Sequence, residues 1–286
     1  RISTGEKMKI LKFRAGNEND IDALEKHSLW FSELSKLNDP YEGWINYDFQ
    51  GISHELRVKL IDHLLMHFSQ GVSLNERLII EQIKYQPDEL KSYVDSRMEG
   101  IFSEFYFERY TQTSMCSLSY FDEKGRGNHP VESMMLWAHY GNGFQGFCLE
   151  FDFSKIVDSY CASEKAFAYK NVSYSSTGAI PTIEMKDFYI DTLLGRNATS
   201  IDILKAFFHK DYFWKYENEI RLISGNAGLR PYNPNSLSSI YIPEKVSEDK
   251  KKSIVKNVRA TNPKTKIYNV LQDRNEYKLR VEEIYV

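Results

Sequence analysis

Cysteine is scarce: three in 286 residues, an odd number that cannot close a disulfide framework. Cys116, Cys148 and Cys161 form no Cys-x-x-Cys pair and read as small buried thiols of a reducing, cytoplasmic compartment. The chain also lacks any apolar run long enough to cross a membrane, and its start shows no charged stretch leading into an apolar one. Charge of one sign is missing too. Against 40 acidic residues stand 37 basic ones, a net of −3, so no global field attracts nucleic acid, although a local basic groove stays open. Internal repeats and low-complexity linkers are absent. What is plentiful is aromatic surface, with 19 Tyr and 17 Phe, which supplies buried area and stacking faces for a base or sugar.

Alternation in "MKILKFRA", bounded by Gly16 and Asn17, predicts a first strand. Asn19 or Asp20 can cap a helix carrying Ile21 and Leu24 on one face. "LWFSEL" predicts a second strand, closed by the turn residues of "LNDPYEG". There Asn38 and Asp39 either satisfy backbone donors or belong to a functional loop. Leu56, Leu60, Leu64, Leu78, Ile83, Met98 and Phe102 then keep helical spacing, a helical insertion over about 54–107 interrupted at Pro87. His63 and His67 lie one turn apart, but no Glu-x-x-His element or cysteine supports them, and they read as a polar helix face.

Further on, "TSMCSLSYF", "FQGFCLEFDF", "KNVSY" and "ENEIRLIS" read as strands. "PVESMMLWAHYG" reads as a short helix ending at Gly141, and "SIDILKAFFHKDYFWKY" as an amphipathic helix. Residues 238–286 read strand, helix, strand, closed by the strand "YKLRVEEIYV". The expected architecture is α+β: a single compact domain over 8–286, its central strands split by the helical insertion. Arg1 to Lys7 are expected to be a remnant or a flexible start ahead of Met8.

The stretch "KYENEIRLIS", Lys215 to Ser224, places Glu217 and Glu219 two residues apart. On a strand both carboxylates share a face, and like charges that close resist joint ionisation unless a cation or a task compensates. Two readings compete. One is a solvent-facing edge with Glu217, Glu219 and Arg221 alternating against Tyr216, Ile220 and Ile223; the other is a catalytic carboxylate pair. Candidate companions sit on other predicted strands: Arg14 on the first, and Ser117 and Ser119 in "CSLSY". An arginine fork holds phosphate, and a small hydroxyl leaves room for a flat ring while bonding its edge. A carboxylate beside a ribose can stabilise an oxocarbenium as a glycosidic bond breaks. Those residue types fit cleavage of nicotinamide from NAD. In "WAHYGNG", Trp137, His139 and Tyr140 either pack the helix end, or His139 or Tyr140 serves the pocket by stacking or acid–base chemistry.

"LWFSELSKLNDPYEG", "MLWAHYGNGFQGFCLEFD" and "WKYENEIRLI" resemble the signature segments of a bacterial family, number 2971 among domains of unknown function. They stand in the family's order, and the likeness runs over nearly the whole chain from Met8. The family name carries no activity. More distantly, the opening strand, short helix and "LWFS", followed by the Ser-x-Ser and Glu-x-Glu strands, is similar to ADP-ribosyltransferases of the arginine–serine–glutamate type. "CSLSY" stands where that group has Ser-Thr-Ser, and the helical insertion before it is long. The likeness implies an ADP-ribosyltransferase-like fold and NAD as substrate. It also implies transfer of ADP-ribose to a macromolecular acceptor, protein or nucleic acid, as a toxin or anti-phage effector. By position, Arg14 would contact the NAD phosphate, Ser117 and Ser119 would shape the nicotinamide pocket, Glu219 would be catalytic and Glu217 would orient the acceptor.

Two rival readings stand beside this one. Asp39, Glu42, Glu150, Asp152, Glu217 and Glu219 could converge on a divalent metal as nuclease carboxylates do, although no lysine sits beside an acidic pair in a nuclease pattern. Alternatively the chain is a binding module for a nucleotide or a protein, without chemistry. The lysine-rich "EDKKKSIVKNVRATNPKTK" is either a phosphate-contacting stretch or the solvated face of the C-terminal helix.

Overall fold

A computed structural model describes residues 8–67, 72–122, 129–163, 167–196, 203–225 and 227–284. The expected remnant Arg1 to Lys7 lies outside the described residues. In chain order the elements begin β1 (Met8–Arg14), α1 (Glu18–Glu25), β2 (Ser28–Glu33), β3 (Asn46–Asp48), α2 (His54–His67), α3 (Leu74–Ile83) and α4 (Pro87–Thr111). They continue with β4 (Ser114–Asp122), α5 (Met134–Tyr140), β5 (Phe147–Asp152), α6 (Phe153–Ser163), β6 (Ala168–Asn171) and β7 (Ser173–Ser175). Next come β8 (Thr182–Glu184), α7 (Met185–Leu193), α8 (Leu204–Phe207), β9 (His209–Asp211) and β10 (Glu219–Ser224). The last are β11 (Gly228–Pro231), β12 (Leu237–Pro243), α9 (Glu248–Thr261), β13 (Lys266–Gln272) and β14 (Leu279–Glu283). The fold is α+β, with described residues up to 38, 112–177 and 210–284 forming one compact unit and 39–111 with 178–209 a second.

The first unit is built on a sheet in the order β11-β2-β4-β1-β5-β12-β13-β14, with β10 paired to both β4 and β6. Neighbours are antiparallel except β12 and β13, which run parallel because α9 carries the chain back between them. Each face has its own core, as the alternation in β5 requires. Phe147, Leu149 and Phe151 join Ile156 and Tyr160 of α6 and Ile254 and Val258 of α9. Cys148, with Leu11 and Phe13, meets Leu136 and Trp137 of α5 on the other face. Trp137 is wholly buried, its indole donating to the Val131 carbonyl at 2.7 Å and its ring edge-on to Phe13. It packs the helix end, as one reading of "WAHYGNG" expected.

The second unit is mainly helical. Pro87 opens α4 rather than kinking a longer helix, since the first helical position needs no N–H. Leu90, Val94, Met98 and Phe102 form its buried stripe. Inside this unit Arg57 donates twice to Asp95 at 2.7 Å, and Tyr189 donates to the same carboxylate at 2.6 Å.

Two local expectations are corrected. α1 is capped by Asn17, whose side chain accepts from the Asp20 N–H at 2.9 Å, which leaves the Asp20 carboxylate to other partners. The long helix expected over "SIDILKAFFHKDYFWKY" does not form; its first residues, Ser200, Ile201 and Asp202, lie outside the described residues. The rest becomes short α8, short β9 and a 3₁₀ turn over Tyr212–Glu217. The break has a local cause. The Asp211 carboxylate accepts from the Phe213 N–H at 2.9 Å and starts a new turn there.

Candidate active site

The first unit carries a cleft of about 250 Å³. Arg14 enters it from the end of β1, Ser117 and Ser119 from β4, and Tyr140 from the end of α5. Glu217 and Glu219 line it as well, together with Lys210. Of the residues expected in the site, His139 is the exception: it is exposed, bonds Tyr216 through Nδ1 at 2.7 Å and does not line the cleft.

The two glutamates meet, but not by strand alternation. Glu217 closes the 3₁₀ turn, Asn218 adopts left-handed backbone angles (φ 43°, ψ 58°), and Glu219 begins β10. The left-handed step is held at both ends: Asn218 donates its amide to the Tyr120 carbonyl at 2.8 Å, and its own carbonyl accepts from the Tyr120 N–H at 2.9 Å. Nor is this a solvent-facing edge. β10 lies between β4 and β6, and Glu217, Glu219 and Arg221 are only 4%, 2% and 0% exposed.

Buried acids this close need cations, and the sequence supplies two. The Lys210 ammonium lies 2.7 Å from Glu217 and 2.9 Å from Glu219. Arg221, on the same face of β10 as Glu219, donates through Nε to the other Glu219 oxygen at 2.8 Å. Ser117 donates its hydroxyl to Glu219, and the Tyr174 hydroxyl accepts the Glu219 backbone N–H at 2.8 Å. Glu217 takes the Tyr140 hydroxyl, which itself accepts from Asn38 at 2.7 Å. "NDPYEG" is thus divided: Asp39 serves its turn by accepting from Tyr41 N–H at 2.9 Å, whereas Asn38 reaches into the cleft.

The surroundings drive the two carboxyls apart. Burial disfavours ionisation of Glu219, but Arg221 and Lys210 outweigh it and hold the group well below the ordinary carboxylate range. At Glu217 burial dominates and the charge of Glu219 adds to it, so its pKa is raised despite Lys210. Burial raises the Tyr140 phenol and the adjoining Glu217 raises it further, which keeps it a donor. Burial opposes the charge on Lys210, yet the two carboxylates more than restore it.

Arg14 has a carboxylate partner within the chain. Its guanidinium pairs with Asp20, whose other oxygen accepts the Gly16 N–H at 2.8 Å.

A family model described as Protein of unknown function (DUF2971) matches residues 136–222. That stretch carries nearly all of "MLWAHYGNGFQGFCLEFD" and "WKYENEIRLI", and with them Tyr140, Lys210, Glu217, Glu219 and Arg221. The DUF2971 match leaves out "LWFSELSKLNDPYEG", Arg14 and Ser117, so it is narrower than the near-complete likeness expected from the three segments. No curated protein and no solved structure matches the chain, and nothing in these comparisons extends the similarity to ADP-ribosyltransferases.

The carboxylates of the metal reading do not gather: among the described residues no three His, Cys, Asp or Glu side chains come together to hold an ion. Glu150 is taken up by His129, Tyr241 and two serines, and Glu217 and Glu219 by Lys210. The His63 and His67 rings lie 4.4 Å apart on α2, tilted by 44°. Cys116 and Cys148 are buried as expected, but Cys161 is exposed. Among the described residues no helix is long and apolar enough to cross a membrane. Lys210 and Tyr174 carry no signal in the sequence, and Asn38 is legible there only as a turn or loop residue. Lys210 lay inside an expected helix, where seven residues to Glu217 has no strand meaning.

Proposed function

We propose that this cleft binds NAD and that the protein transfers ADP-ribose from it to a macromolecular acceptor. One observation carries the reading: Arg14, Ser117, Ser119, Tyr140, Glu217 and Glu219, from separate stretches of the chain, line a single cleft. In this reading Arg14 takes a phosphate of NAD in exchange for Asp20, and Ser117 and Ser119 border the nicotinamide ring. The bond from the ribose C1′ to the ring nitrogen breaks, and nicotinamide leaves with the electron pair. Ionised Glu219 faces the resulting oxocarbenium. The acceptor then attacks C1′ and gives its proton to Glu217, whose raised pKa makes it a better base than an ordinary carboxylate.

The test is nicotinamide release and label transfer from NAD in the presence of cell extract. Wild type, Glu219→Gln, Glu217→Gln and Ser117→Ala are compared, with circular dichroism on each. Release and transfer by wild type, lost in a folded Glu217→Gln or Glu219→Gln protein, support the reading. Undiminished turnover in both glutamate variants, or no release by wild type, overturns it.

A further inference from the structure

The lysines at the end of "NPKTK" belong to neither the cleft nor the solvated face of α9. Lys264 and Lys266 line a separate polar groove of about 790 Å³ in the first unit, with Lys9 and Lys155. The groove lies on the face of the sheet that α5 covers elsewhere, where strand register sets two adjoining polar rows, one on β1 and β5 and one from β5 to β13. Lys9 of β1 pairs with Asp152 of β5, and Ser239 of β12 is flanked by Glu150 of β5 and Lys266 of β13. Beside the second row Tyr241 and Tyr268, register partners, stack with ring centres 5.0 Å apart. A second polar hollow of about 440 Å³ shares Lys155 and Asn235 with the groove and extends it along α6.

Two carboxylates line the groove against four lysines, and neither is loose. Glu150 accepts from the Ser238 hydroxyl at 2.8 Å, the Ser239 hydroxyl at 3.2 Å and Tyr241 at 2.6 Å, with His129 at 3.3 Å. Asp152 accepts from Ser154 at 2.8 Å and faces the Lys155 N–H at the start of α6. The balance of the lining is cationic. Lys155, Lys264 and Lys266 are exposed, in a chain whose overall charge is −3, and Lys266 stands a long 3.6 Å from Glu283.

We propose that this groove binds single-stranded nucleic acid. Lysines spaced along an extended, hydroxyl- and amide-lined track suit a sugar–phosphate backbone, and half-buried Tyr268, backed by the buried ring of Tyr241, lines the groove where it can stack an unstacked base. A duplex offers its bases no such access. This inference does not depend on the reading of the NAD cleft.

The test is fluorescence anisotropy of labelled twelve-nucleotide single strands, RNA and DNA, with the matching duplex, at 50 and 200 mM salt. Wild type is compared with a Lys155→Ala/Lys264→Ala/Lys266→Ala variant and with Lys252→Ala/Lys256→Ala, which removes exposed lysines of α9. Single strands are expected to bind wild type and the α9 variant alike. The groove variant is expected to lose at least tenfold in affinity and to flatten the log–log salt slope by about 2, since each phosphate contact contributes roughly 0.7. The proposal is overturned if wild type binds no single strand at low salt, if the α9 variant weakens binding equally, or if duplex or polyglutamate competes as well as the single strand.

Discussion

The Lys210 ammonium donates to Glu217 at 2.7 Å across the 3₁₀ turn that separates them, with both side chains almost wholly buried. Since the same ammonium reaches Glu219, removing it would leave two buried carboxylates with Arg221 as their remaining cation and full repulsion between them. Breaking a buried ionic group on one side costs about 3–5 kcal/mol. Lys210→Met should therefore unfold at clearly lower urea than wild type. Adding Glu217→Gln should recover part of the loss, because one of the stranded charges is then gone. A Lys210→Met midpoint equal to wild type would contradict the geometry.

The opposite pKa directions of the two acids make opposite predictions with pH. Glu219 is held low, to about 2 against an ordinary 4.5, so its contribution to stability is complete above the ordinary value and fades as pH falls toward 2. Glu217 is raised, so the folded state favours its protonated form; that contribution is present below the ordinary value and disappears as pH rises through the folded one. Urea midpoints from pH 3 to 8 should show Glu219→Gln losing most, relative to wild type, at neutral pH and least in acid. Glu217→Gln should compare with wild type most favourably at neutral pH. Parallel curves for the two variants would sink this division.

How much of this was legible depends on how local the cause was. β1, β4, β5 and the C-terminal strand–helix–strand declared themselves through alternation and helical spacing within each stretch. Arg14, the two serines and the glutamate pair were found because each is a chemistry-bearing residue on or beside a strand. What pairs them was not visible. Lys210 reaches the glutamates only because Asp211 breaks the expected helix and Asn218 turns left-handed, and neither is a periodic signal. Arg221 stands in the right alternation with Glu219, but only the solvent-edge reading takes it up, since a single sequence does not show that β6 covers β10. Asp20 was read as a cap because it stands at a helix start; Asn17 takes that role and frees it for Arg14.

Gly146 holds the Arg14 end of β1 in place by having no side chain. A Cβ there would lie 1.9 Å from the Arg14 carbonyl oxygen, and backbone cannot give way as a flexible side chain does. Gly146→Ala should push the end of β1 outward, with an overpacking cost of about 1–3 kcal/mol. It should weaken the proposed NAD binding more than Gly225→Ala, at a glycine whose Cβ would meet open space and whose backbone is not left-handed. Thermal midpoints and NAD titrations of the two variants check this. Equal behaviour would mean the strand end yields without moving Arg14.

Farther along the face of the sheet that carries Ser119 and Glu219, Glu150 has its own acid signature. Burial would raise its carboxyl, but His129, Tyr241 and Ser238 bond the ionised form and bring it down to about 2. Tyr241→Phe keeps the ring and its stack on Tyr268 while deleting the 2.6 Å donor. A hydrogen bond to a charged group contributes about 1.5–3 kcal/mol, so the variant should lose roughly that much at pH 7. Its Glu150 should titrate nearer the ordinary value, which shrinks the stability present above that value and lost as pH falls. The gap between Tyr241→Phe and wild type should accordingly narrow from pH 7 to pH 3 in urea unfolding. A gap that stays constant over that range would show that the phenol packs without bonding the ionised carboxylate.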